Sequence, residues 1–96
     1  IFRPGVVDPL GVGEADVRAV RPDIVYVSLS GFGENGPYAA KPTYDPIIQA
    51  LSGLASVQGG SDDNPPRLVR TIVPDKVTAV TAAQAITAYL MVLRNT

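Results

Sequence analysis

Few residues in this sequence can do chemistry. It carries 9 Asp plus Glu, 8 Lys plus Arg and 4 Tyr, but no His and no Cys. Ser-His-Asp and Cys-His nucleophilic centres are therefore excluded within the chain. So are zinc fingers, thiolate clusters and disulfides, and no metal ligand set is expected. General acid–base or nucleophilic work falls to Asp, Glu, Lys or Tyr. Asp75 stands out, because Pro74-Asp75 opens the last helix-forming run. A carboxylate there lies near free backbone N–H groups and the positive end of the helix dipole. It can serve as a cap, or as a nucleophile toward an activated acyl group. The residues alone favour the cap.

Other candidate groups are weaker. Gly31-Phe32-Gly33-Glu34-Asn35-Gly36 fits G-x-G-x-x-G after an apolar run. A dinucleotide site needs those glycines to open a helix, and an acidic residue about 20 positions on that ends a strand. Here Pro37 and Lys41-Pro42 follow, and Asp62 and Asp63 sit in a polar turn cluster. A loop that lets backbone approach another element or a ligand is the better reading. Arg3, Lys41, Arg67 and Arg70 are scattered, and most such cations are solvated rather than phosphate ligands. Tyr38 and Tyr44 read as packing residues. The net charge of −1, with no basic cluster, gives no case for nucleic acid. Absent cysteine is compatible with a reducing cytoplasm, the compartment expected here.

The elements that must position these groups follow from the pattern. Residues 1–13 hold Pro4, Pro9 and several glycines and read as irregular chain. A short helix fits Glu14 to Val20, with acids first, Arg18 and Arg21 last and Pro22 as the stop. Ile24 to Ser30 is β-branched, aromatic and apolar on both faces, the pattern of a buried parallel strand. Asp45 as N-cap and Pro46 at the first helical position open a helix to about Val57. Its stripe is Ile47, Ile48, Leu51, Leu54 and Ala55, and Gly53 inside it implies a close backbone approach. Gly59-Gly60 end it, and Leu68 to Val73 reads as a short strand. The last helix runs from Asp75, its N-cap, to about Leu93. Val77 to Leu93 is uncharged, at the lower limit for a membrane span. Gln84 and the interspersed threonines favour a buried core helix and no membrane. The start at Ile1 and the stop directly after an apolar run read as a piece of a longer protein.

The order of these motifs resembles that of the family III CoA-transferases (the CaiB/BaiF family). Phe2-Arg3-Pro4-Gly5 with Leu10-Gly11 is similar to that family's N-F-R-P-G and L-G segment. Arg21-Pro22-Asp23-Ile24-Val25-Tyr26, then Ser30-Gly31-Phe32-Gly33, is similar to its N-P-R-L-I-Y and S-G-F-G stretch. Gly36-Pro37-Tyr38 and Lys41-Pro42-Thr43-Tyr44-Asp45 resemble its G-P-Y and R-P-x-Y-D loop. Ile48 to Leu54 resembles its A-Q-A-x-S-G helix. Ile1 stands where the family has Asn, and Pro9 where some members carry a basic residue. The likeness covers essentially the whole chain, 1–96, as part of the family's large domain.

The resemblance implies an α/β fold, a segment of a Rossmann-like large domain with parallel strands and covering helices. It implies an acyl-CoA:carboxylate CoA-transferase with Asp75 as nucleophile, passing through a mixed anhydride and an aspartyl-CoA thioester. It implies CoA contacts at Phe2, Arg3, Leu10, Lys41, Pro42 and Tyr44, and an interlocked homodimer. The related α-methylacyl-CoA racemases use a His at the position of Tyr44, and this chain has none. A non-catalytic, truncated fragment is the alternative from another class.

Overall fold

The structure is a computed structural model and describes residues 2–96, so the departure at Ile1 lies outside the described residues. Four helices follow one another: α1 (Glu14–Val20), α2 (Asp45–Leu51), α3 (Leu54–Gly59) and α4 (Val73–Asn95). Among the described residues there is no strand. The expected α/β, Rossmann-like segment with parallel strands is therefore overturned. Ile24 to Ser30 joins no ladder. β-branched side chains set strand-like dihedrals, but a strand is stable only when its N–H and C=O groups pair with a neighbour. Here Tyr26 is tied instead through its hydroxyl, which donates to Val12 C=O at 3.0 Å. The second expected strand fails for a related reason. The N–H of Val69 goes to the side-chain oxygen of Gln49 at 2.8 Å, and Val73 already belongs to α4.

The chain divides into two compact units, Ile1–Pro42 with Gln84–Thr96, and Thr43–Ala83. In the first, α1 has the bounds its sequence dictates. Asp16 in its first turn accepts the Gly13 N–H at 3.2 Å, and Glu14 accepts from Arg18 one turn on at 2.7 Å. Arg21 caps its end by donating its N–H to Val17 C=O at 2.9 Å. The Arg21 guanidinium also pairs with Asp23 and draws that carboxyl below its ordinary value by hydrogen bonding. In the glycine loop, Gly33 and Gly36 have φ of +75° and +104°, and a Cβ at either would meet nothing. These glycines supply left-handed backbone, not a close approach. The loop leads into an edge-to-face pair of Phe32 and Tyr38, with centroids 5.5 Å apart.

In the second unit the expected single helix is two, α2 and α3, which pack together. Gly53 divides them because it sits at φ +85°, a left-handed conformation that ends a helix. Nothing crowds Gly53; the close approach falls at Gly59, where a Cβ would lie 2.8 Å from the Pro65 carbonyl oxygen. Backbone cannot swing aside as a side chain can. Gly59→Ala is expected to destabilise by about 1–3 kcal/mol, the usual range for forced overpacking. Urea unfolding checks it, and an unchanged midpoint refutes the contact. Gly60 at φ +91° closes α3.

Of the expected apolar stripe only Ala55 is buried, and the other buried side chains are polar. Among the described residues only Ala55 is a buried apolar side chain, while Asp45 and Gln49 are buried at 4% and 2% exposure. Ile47 and Leu51 are exposed at 48% and 60%. The polar side of α2 turns inward because the backbone of residues 69–75 needs hydrogen-bond partners there. The helix α4 also departs from expectation, since none of its residues is buried in this chain. Its 23 residues make it long and apolar enough to cross a membrane by length and composition.

Candidate active site

Asp75 is the third residue of α4, not its N-cap. The helix starts two residues earlier because Ile72 C=O accepts the Lys76 N–H at 3.1 Å. Pro74 then occupies the second position, where its missing N–H costs nothing. The remaining first-turn donors are spoken for. Val73 N–H donates to Thr71 C=O at 3.0 Å, and Asp75 N–H donates to Asp45 Oδ2 at 3.1 Å. The free N–H groups that a helix start offers to an oxyanion are thus engaged in this turn.

The Asp75 side chain is exposed. Among the described residues its carboxylate has no hydrogen-bond partner. The neighbouring Lys76 does not pair with it; its Nζ donates to Thr71 Oγ1 at 2.6 Å. A carboxylate with held backbone, free oxygens and a 23-residue helix behind it is able to attack an electrophile.

Below it lies a buried polar cluster. Asp45 Oδ1 accepts from Gln49 Nε2 at 2.5 Å, and Gln49 also donates to Thr71 C=O at 3.1 Å. Asp45 is the first residue of α2, whose N-cap is Tyr44 rather than Asp45. From the sequence Asp45 reads as a local cap and Gln49 as one letter of a helix motif. Their i,i+4 spacing was the available signal, since such pairs meet on one helix face. What they bind is distant in sequence and carries no local signature.

The expected CoA contacts fall in different places. Phe2 and Arg3 line a cleft of about 740 Å³ in the first unit, together with Val12, Tyr26 and the carboxylates of Asp8, Glu14 and Glu34. Arg3 is the only cation among the described residues that line it. Leu10 is 64% exposed and lies outside the cleft. Lys41 Nζ sits 4.2 Å from the centre of the Tyr38 ring, a cation–π contact. Pro42 is exposed, and Tyr44 in the second unit is 82% exposed.

The sequence model of CoA-transferase family III matches residues 1–96. Acetyl-CoA:oxalate CoA-transferase of Acetobacter aceti is 43% identical over 74 residues, 77% of this chain and 19% of that protein. Succinyl-CoA:glutarate CoA-transferase of Mus musculus is 35% identical over 90 residues, 94% of this chain and 20% of that protein. Formyl-CoA:oxalate CoA-transferase of Streptomyces avermitilis is 37% identical over 95 residues, 99% of this chain and 23% of that protein. The chain thus spans about a fifth of the length of these relatives. No solved structure matches it. The ordered loop and helix motifs, matched from end to end, place the chain in CoA-transferase family III, to which it belongs.

Proposed function

We propose that the chain carries the nucleophile of an acyl-CoA:carboxylate CoA-transferase, and that Asp75 is that nucleophile. The observation that carries the reading is the Asp75 carboxylate, exposed and unpartnered among the described residues, on a backbone held by a hydrogen bond to Asp45. An Asp75 oxygen attacks the thioester carbonyl, and CoA leaves as thiolate to give a mixed anhydride. The thiolate then attacks the aspartyl carbonyl and releases the donor carboxylate, which leaves an aspartyl-CoA thioester. The acceptor carboxylate attacks that thioester, forms a second anhydride and expels the thiolate. Thiolate attack on the acceptor acyl carbon regenerates Asp75. No water, metal or net proton enters the sequence.

Family membership supports this reading, and so do relatives whose names pair an acyl-CoA with oxalate or glutarate. The CoA is assigned to Phe2 and Arg3 in their cleft and to Leu10, Lys41, Pro42 and Tyr44. In that assignment Arg3 meets a phosphate and Phe2 packs on an apolar part of the cofactor. The intact protein is assigned as a homodimer. Tyr44, at the position where the related racemases use a His, favours the transferase reading over the racemase alternative.

The test is covalent trapping in the intact protein. Incubation with acetyl-CoA or succinyl-CoA is expected to place CoA on the peptide that holds Asp75. Hydroxylamine converts that thioester to a hydroxamate at the same residue. CoA on a different residue, or no adduct with any donor that supports turnover, overturns the assignment.

A further inference from the structure

We propose that Asp45 is a positioning residue for Asp75, acting as a remote cap that fixes where α4 begins. This inference rests on the nucleophile assignment above. In most helices the N-cap side chain accepts the N–H of the second or third residue. The residue at that place here is Ile72, which has no acceptor in its side chain. The acceptor comes instead from Asp45, on another helix, whose Oδ2 takes the Asp75 N–H at 3.1 Å.

The arrangement is built as well as long-range. Asp45 is 4% exposed, and its other oxygen takes a hydrogen from Gln49 at 2.5 Å. Gln49 is in turn held by Thr71 C=O at 3.1 Å and Val69 N–H at 2.8 Å, so the amide cannot turn without losing both. Stability alone gives little reason for this design. A serine or aspartate at position 72 would cap α4 locally, whereas burying a carboxylate carries a desolvation cost. What the remote cap adds is a fixed relation between the backbone of Asp75 and α2. That helix carries Tyr44 at its N-cap, one of the residues assigned to CoA. The attacking group and part of the donor site thereby share one rigid polar cluster.

The test uses the intact protein and Asp45→Asn. The variant keeps the shape, but its amide nitrogen must face either Gln49 Nε2 or the Asp75 N–H, both donors, so one bond is lost. The adduct-forming rate is measured in single turnover across acetyl-CoA or succinyl-CoA concentrations. Hydrogen exchange at the Asp75 amide is followed in parallel. The saturating rate is expected to fall about 10- to 100-fold, the scale of small misplacements of a reacting group. Half-saturation should stay within about twofold, and Asp75 amide exchange should accelerate. A purely structural role would not lower the saturating rate of the folded fraction. An unchanged saturating rate overturns the proposal, as does a loss confined to half-saturation. Asp45→Glu, which keeps the charge and lengthens the arm by one methylene, takes the same readouts if Asp45→Asn is recovered unfolded. Absence of any adduct on Asp75 in the unaltered protein removes the nucleophile assignment and this proposal together. An adduct that forms at an unaltered rate in the variant removes only this one.

Discussion

Asp75→Ala in the intact protein is expected to abolish CoA transfer, with kcat reduced by at least ~10⁴-fold, the scale seen when a covalent nucleophile is removed. The aspartyl-CoA adduct should vanish with it. The structure makes this substitution unusually clean. The Asp75 side chain is exposed and has no partner among the described residues, while its backbone N–H does the structural work by binding Asp45. Alanine keeps that N–H and favours the helix. The only structural loss is the favourable placement of an acid in the first turn, worth about 0.3–1 kcal/mol at an exposed site. Asp75→Ala should therefore unfold at nearly the temperature of the unaltered protein. Acyl-CoA binding, followed by calorimetry, should persist. Residual transfer within tenfold of the original rate would show that a different group attacks the thioester.

Gln49→Ala is expected to have the largest effect on folding, destabilising by about 3 kcal/mol or more. The reason is what remains rather than what leaves. The Gln49 amide serves Asp45 Oδ1, Thr71 C=O and Val69 N–H. Truncation leaves a buried carboxylate oxygen, a carbonyl and an N–H without their partners. Each orphaned group costs on the order of 1–3 kcal/mol when water cannot replace the bond. Urea unfolding measures the loss, and a shift below about 1 kcal/mol would mean that water enters the cluster freely.

Gln49→Glu replaces the donor amide with a second acid. At neutral pH a second carboxylate would face Asp45 and the Thr71 carbonyl, both acceptors. Like charge raises the folded-state pKa of the introduced group above its unfolded value. The protonated form restores one donor. The variant should therefore be most stable below its unfolded pKa and lose stability as pH rises through the raised folded one. A variant that gains stability between acid and neutral pH would contradict the mapped bonds.

Helix α1 shows what local sequence can settle. Its acids, its Arg18 and the Pro22 stop lie within one short stretch, and the helix has the bounds those residues imply. The position of Pro46 in a first turn was legible for the same reason, since a missing N–H costs nothing there, whereas Pro74 was expected just before α4 and stands inside its first turn. The cap residues were not legible. Asp45 and Asp75 each stand beside a proline and read alike, yet Asp45 is buried and Asp75 exposed. Nothing within a few residues distinguishes them; the difference lies in which one meets the backbone of a distant segment. Ile24 to Ser30 failed in the opposite way. Its composition favours extended backbone, but pairing depends on a neighbour that the segment cannot specify.

By itself, the sequence determined the chemistry this chain can carry and its family. The absence of His and Cys leaves Asp, Glu, Lys and Tyr to act, and the ordered motifs place the chain in CoA-transferase family III. Only the tertiary structure decided how Asp75 is held. A carboxylate thirty residues earlier, itself held by Gln49, accepts its N–H. Such a bond exists only once two separate helices meet. Its energy arises from satisfying buried polar groups that the chain brings together in space, and no residue pattern along one helix encodes that.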